Sequence, residues 1–150
     1  MRVRQTVLET ILAHARRDVP RECCGLLIGT DTEVTEAVPA SNEADDPLRR
    51  YEVSPIAHLA QIRRCRELAK ATGVNVGVMG AYHSHPRSAA EPSPTDREQA
   101  FEDFLYLIAG PVEDAPLDVR AYRLRDGHFE AVELIVDERP EAESPPGTTR

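Results

Sequence analysis

Val7, Leu8, Ile11, Leu12 and Ala15 recur at intervals of three and four, which puts them on one helical face and predicts an amphipathic helix over residues 6–17, ending before Pro20. Residues 23–28 form an unbroken apolar run and read as a buried strand. Gly29, Thr30, Asp31 and Thr32 turn the chain into a second strand at 33–38, with Val34 and Val38 on one face. Residues 41–50 are polar, acidic and contain Pro47, so they read as a surface loop. Ser54 and Pro55 open a second helix whose expected apolar stripe is Ile56, Leu59, Ile62 and Leu68, with Gly73 near its end. A short β-branched run at 76–82 is a third buried strand. A short helix follows at 94–101, then a strand at 104–108. Strands at 119–124 and 129–136 flank Asp126-Gly127, a strong two-residue hairpin signal. The sum is one α/β domain over residues 1–136, a mixed β-sheet flanked by helices. From Asp137 the chain is rich in Pro, Glu, Ser and Gly, and a disordered tail is expected over 137–150.

The chemistry gathers at the end of the 76–82 strand. Alternate side chains of a strand share a face, so His83 and His85 point one way and Ser84 the other. About 6.6 Å of strand rise lets both imidazoles close on one ion lying about 2.0–2.1 Å from each nitrogen. Asp96 offers a hard oxygen as third ligand. Three protein ligands leave a fourth position for water, the layout of a catalytic zinc site, whereas a structural site is closed by four. Ser93 to Asp96 also reads as an ordinary helix start, with serine as N-cap, proline first and an acid third. The two readings are compatible, because a carboxylate in the first turn can face a metal beside it. Glu22 alone reads as a solvated acid at a strand entrance. His14, His58 and His128 lie outside any motif and are read as solvent-facing or hydrogen-bonded.

His83-Ser84-His85-Pro86, six further residues, then Ser93-x-x-Asp96 resembles the zinc-ligand signature of the JAMM (MPN-plus, or JAB-domain) metallopeptidases position for position. The family's upstream glutamate has its match at Pro20-Arg21-Glu22, running into Cys23, Cys24, Gly25, Leu26, Leu27, Ile28 and Gly29. Arg50 to Pro55 also resembles the compact bacterial members. The resemblance implies a layered, cytidine-deaminase-like fold and one Zn2+ per chain held by His83, His85 and Asp96. It further implies Glu22 as general base and the Ser93 hydroxyl as oxyanion donor. The activity it implies is hydrolysis of the amide after the carboxy-terminal glycine of a ubiquitin-like protein. Asp96 leads through one helix straight into the 104–108 strand, without the second insertion of enzymes that grip ubiquitin chains. That favours the compact members, which act on sulfur-carrier proteins ending in Gly-Gly. The alternative is an MPN-type interaction scaffold without hydrolytic activity, which normally lacks a ligand; none is missing here. A zinc deaminase would need Cys-x-x-Cys, absent from this sequence. The DNA-repair branch of JAMM-like proteins fits poorly with an acidic surface.

A net charge of −8 argues against a nucleic-acid partner, and no segment has the apolar length or basic amphipathic pattern of a membrane element. The amino terminus lacks a cationic, apolar and small-residue series in secretory order, so a cytoplasmic location is expected. Cys23 and Cys24 are adjacent and, with Cys65, give no disulfide framework; all three are expected to pack. Nothing in the pattern sets an oligomeric state.

Overall fold

Alternating apolar faces need partners on both sides of a sheet, and the described residues supply them with three helices and eight strands. The computed structural model describes residues 1–113 and 118–138. In chain order the elements are β1 (Arg2–Arg4), α1 (Gln5–Asp18), β2 (Cys24–Gly29), β3 (Glu33–Ala40), α2 (Pro55–Thr72), β4 (Gly77–Ser84), α3 (Pro94–Gln99), β5 (Leu105–Ala109), β6 (Val119–Arg125), β7 (His128–Val132) and β8 (Ile135–Asp137). They build one mixed sheet in the order β7-β6-β5-β4-β2-β3-β1-β8. The edge strands β7 and β8 are joined by only Glu133 and Leu134, so the sheet must curl until its two edges approach.

Helix α1 lies against the sheet with Val7, Ile11 and Ala15 buried among Leu27, Val34, Tyr82, Leu105 and Leu107. Fully burying one such aliphatic side chain is worth about 1.5–3 kcal/mol, so this cluster is the main apolar anchor of the fold. The opposite face carries a smaller cluster of Leu26, Ala81 and Tyr106, with Val53, Phe104 and Phe129 packed on it. The Tyr106 hydroxyl accepts the Phe101 N–H at 2.7 Å and so orders the link from α3 to β5.

Four expectations are corrected. Val34 and Val38 do not share a face: Ile28 pairs with Glu36 but Gly29 with Val34, a bulge that leaves one extra residue, so the core receives Val34 and Ala37. Helix α2 forms and is capped as expected, Ser54 accepting the N–H groups of Ile56 and Ala57 and Gly73 closing it at φ 74°. Its apolar stripe, however, is not its buried face. Ile56 is 82% exposed and Leu59 46%, while the buried side is centred on Cys65. The reason is that α2 meets the sheet chiefly at β4, where a narrow contact suffices. The expected 129–136 strand is broken at Glu133 and Leu134, because Ile135 and Val136 leave β6 and, with Asp137, pair in parallel with β1, a strand not anticipated. The third helix stops at Gln99 rather than Phe101, which is 62% exposed. The hairpin turn is as read: Asp126 and Gly127 both have positive φ, 52° and 77°. β8 reaches Asp137, one residue beyond the expected domain boundary, with Arg2 Nη2 3.1 Å from the Asp137 carboxylate. Residues 139–150, where the tail is expected, lie outside the described residues. No helix among the described residues is long and apolar enough to cross a membrane.

Candidate metal centre

Strands β2 and β4 are antiparallel neighbours with Cys24 opposite His83, Gly25 opposite Tyr82 and Leu26 opposite Ala81. Continuing that register beyond the strand ends sets Glu22 across from His85. Residues directly opposite in an antiparallel pair share a face, so one register choice brings together the glutamate and both histidines. Ser84, on the other face, holds the register at this end: its Oγ accepts the Cys23 N–H at 2.8 Å and its N–H donates to the Cys23 carbonyl at 3.1 Å. His85 follows the last strand residue, and its N–H donates to Ala109 O of β5 at 2.7 Å.

Asp96 arrives from α3. Ser93 Oγ accepts the Asp96 N–H at 3.0 Å while Asp96 Oδ2 accepts the Ser93 N–H at 2.8 Å, a reciprocal capping box that fixes the carboxylate at the helix start. His83 Nε2 and His85 Nε2 each lie 3.1 Å from Asp96 Oδ2 and 3.2 Å from one another. A tetrahedral ion with bonds of about 2.0–2.1 Å keeps its ligand atoms roughly 3.3 Å apart, close to this triangle. Glu22 completes the group: each of the four residues offers a ligand atom, all within 4.8 Å of one another, and all four residues are buried. Glu22 Oε1 has no hydrogen-bond partner among the described residues. A buried carboxylate oxygen left without a partner is costly unless something polar is meant to meet it. The donor set therefore fits a divalent ion.

Without an ion, burial and these contacts set the charges of the group. Burial alone would raise the Asp96 carboxyl, but its contacts with His83, His85 and the Ser93 N–H hold it well below the usual carboxylate range. Burial pushes the Glu22 carboxyl up to about 7, opposed by His85 and reinforced by Asp96 and Asp46. His83 is lowered because burial outweighs its contact with Asp96. His85 is raised, since its bonds to Asp96 and the Ala89 carbonyl overcome burial. Beside the group opens a cleft of about 500 Å³ lined by residues that include Glu22, Leu48, His85, Arg87 and Ser93.

Every site residue named from the sequence is in this assembly. The remaining histidines are not: His14 bonds Tyr82 and Asp18, His58 packs on Phe104, and His128 is exposed. The cysteines pack, burial pushing the Cys23 thiol up to about 11 and that of Cys24 to about 12. Sequence reasoning missed three contributors. The Ala89 carbonyl lies 2.8 Å from His85 Nδ1, which assigns the proton to Nδ1 and leaves Nε2 to face the group. Tyr51 stacks on His83. Asn42 spends its whole amide on the site's loop, donating to the Glu22 and Arg50 carbonyls and accepting the N–H groups of Ala44 and Glu52. Both Asn42 and Tyr51 sit near or within a segment whose composition says only that it is a loop.

Comparison with known proteins gives the family of the whole chain. The family model for prokaryotic homologs of the JAB domain matches residues 4–125. A desampylase from Haloferax volcanii is 39% identical over 110 residues, covering 69% of this chain and 75% of that protein. A probable TtuB-protein conjugate cleaving protease from Thermus thermophilus is 32% identical over 130 residues, covering 87% and 78% respectively. The solution structure of a Desulfitobacterium hafniense protein superposes with a TM-score of 0.80 at 27% identity, covering 94% of this chain and 96% of that one. This chain belongs to the prokaryotic JAB-domain family, and it is a hydrolytic metallopeptidase of that family.

Proposed function

We propose that this chain uses one zinc ion, held by His83, His85 and Asp96, to cleave the amide bond after the carboxy-terminal glycine of a ubiquitin-like or sulfur-carrier protein. The observation that carries the proposal is the buried Glu22–His83–His85–Asp96 group at the mouth of a cleft. The two relatives support the substrate class, being named for a desampylase and for cleavage of TtuB-protein conjugates. Zinc bound there would lower the pKa of its water toward about 7 and polarise the carbonyl. Glu22, buried beside both histidines, takes a proton from the attacking water and delivers it to the departing amine nitrogen as the C–N bond breaks. Ser93 Oγ already accepts the Asp96 N–H, so its own hydrogen is available to the carbonyl oxygen as negative charge develops there.

The short α3 and the few residues between it and β5 leave no insertion with which to hold a second folded carrier. A compact enzyme of this kind suits release of a residue or short extension, in a cytoplasmic setting. An extended tail with glycine on the acyl side passes where larger side chains would meet the β4 end. The test is mass spectrometry of a small ubiquitin-like carrier bearing one or a few residues after Gly-Gly. The expected result is loss of exactly those residues, with a newly terminal glycine, and no cleavage when that glycine is valine. Digestion of casein together with indifference to every Gly-Gly tail would overturn the proposal.

Ser93→Ala provides a separate check. Losing one oxyanion donor costs about 10²–10³ in rate at most, and losing the N-cap costs about 1 kcal/mol of stability. Both losses are expected in kinetics and thermal melting. Full activity with a lowered melting temperature would leave Ser93 as a cap alone.

A further inference from the structure

A histidine that binds a metal through one ring nitrogen is ordinarily held by a hydrogen bond from the other. His85 obeys this, with Nδ1 2.8 Å from Ala89 O. His83 does not. It is 1% exposed, and among the described residues no polar group meets its Nδ1. What holds its ring is an aromatic face: Tyr51 lies on it with ring centroids 4.3 Å apart and planes 18° from parallel. No hydrogen bond is then required to set the ring's plane, because the stack fixes it, together with the exit of His83 from β4.

Tyr51 is itself fixed from both sides. The Asn42 amide donates to the Arg50 carbonyl at 2.9 Å and accepts the Glu52 N–H at 3.1 Å, clasping the residues that flank Tyr51. Asn42 and Val53 form an isolated bridge, and the Glu43 N–H donates to Glu52 O at 2.9 Å. The same Asn42 amide donates to the Glu22 carbonyl at 3.0 Å, and the Glu22 N–H donates to Pro47 O at 2.8 Å. One loop thus grips the glutamate by its backbone and the histidine by its ring.

We infer that Tyr51 is a positioning residue for His83, its ring face setting the plane of the imidazole, and that Asn42 sets Tyr51 and Glu22 in one frame. The inference rests on the metal-site reading above and is independent of the substrate. Outer partners of metal ligands typically contribute 10–100-fold in affinity. Zinc competition against a chromophoric chelator is therefore expected to show Tyr51→Phe within about threefold of the unmutated protein and Tyr51→Leu about 10–100-fold weaker. Asn42→Ala should weaken zinc in the same direction. The metal-free melting of each variant tells lost positioning from lost folding. Zinc binding by folded Tyr51→Leu as tight as in the unmutated protein would overturn the inference. Equal losses in the Phe and Leu variants would overturn it too, by assigning the effect to the hydroxyl.

A second measurement needs no variant. In the unmutated metal-free protein, carbon-bound ring protons of His83 should resonate upfield of those of His85, because they lie over the Tyr51 face. Equivalent shifts for the two rings would refute the stack. Failure of zinc to bind the unmutated protein at all would instead strike the metal assignment, and the ring shifts would still be read separately.

Discussion

A protein carrying His83→Ala and His85→Ala is expected to hold less than about a tenth of the metal of the unmutated chain and to lose hydrolysis with it. On the proposed roles, two of three ligands are gone, and Asp96 alone offers one carboxylate already engaged by the Ser93 N–H. Elemental analysis should find one zinc per unmutated chain and almost none in the variant. The fold should survive, unlike that of a small zinc finger, because β4 is paired on both sides by β2 and β5 and the α1 cluster lies on the other face of the sheet. Circular dichroism of the variant should keep its helical and sheet signal, though the space left by two buried imidazoles will lower its melting temperature. Retention of full zinc, or two tightly held ions in the unmutated chain, would remove the assignment of His83 and His85.

The sequence shows local features well and long-range pairing poorly. The α1 periodicity and the Asp126-Gly127 turn are visible because their physics lies within a few residues. Val38 is misread because a bulge at Gly29 shifts alternation, and a bulge is set by the partner strand. β8 is misread because residues 129–136 contain no Gly, Pro or other turn signal and so look like one strand whichever neighbour each half chooses. Ile56 and Leu59 look like a core stripe, yet α2 needs only one narrow side against β4.

The site divides in the same way. His83, His85 and Asp96 are close in sequence and share a recognisable spacing. Glu22 is about sixty residues away, and no spacing links it to them; the pairing follows once Cys24 is set opposite His83, since two further steps along each strand oppose Glu22 and His85. Ser84 faces away from the histidines, as strand alternation requires, and its bond to the Cys23 N–H is a cross-strand pairing that alternation does not specify. Tyr51 and Asn42 act through contacts that exist only after the loop has closed over the sheet, so the family resemblance of Arg50 to Pro55 marks the segment without giving either residue a role.

Glu22→Gln separates base from ligand most cleanly. Glutamine keeps the size and most of the hydrogen-bonding shape of glutamate but cannot accept the proton of the attacking water, so hydrolysis should fall by about 10²-fold or more. Zinc content should stay at one per chain. Stability gives the second reading. In the metal-free protein the Glu22 carboxyl titrates at about 7, above its ordinary 4.5, chiefly because of burial. Between those values the folded state binds more protons than the unfolded state, so stability falls as pH rises from about 4.5 to 7. Glutamine carries no charge and escapes that loss. Metal-free Glu22→Gln should therefore be more stable than metal-free unmutated protein at pH 8, by no more than about 3 kcal/mol in denaturant unfolding, and should lose the advantage below about pH 4.5. An inactive, zinc-loaded and more stable variant is the signature of a carboxylate kept for chemistry at the expense of stability. If Glu22→Gln instead emptied the site while Asp96→Ala stayed loaded, Glu22 would be the ligand and the proposed roles would be exchanged.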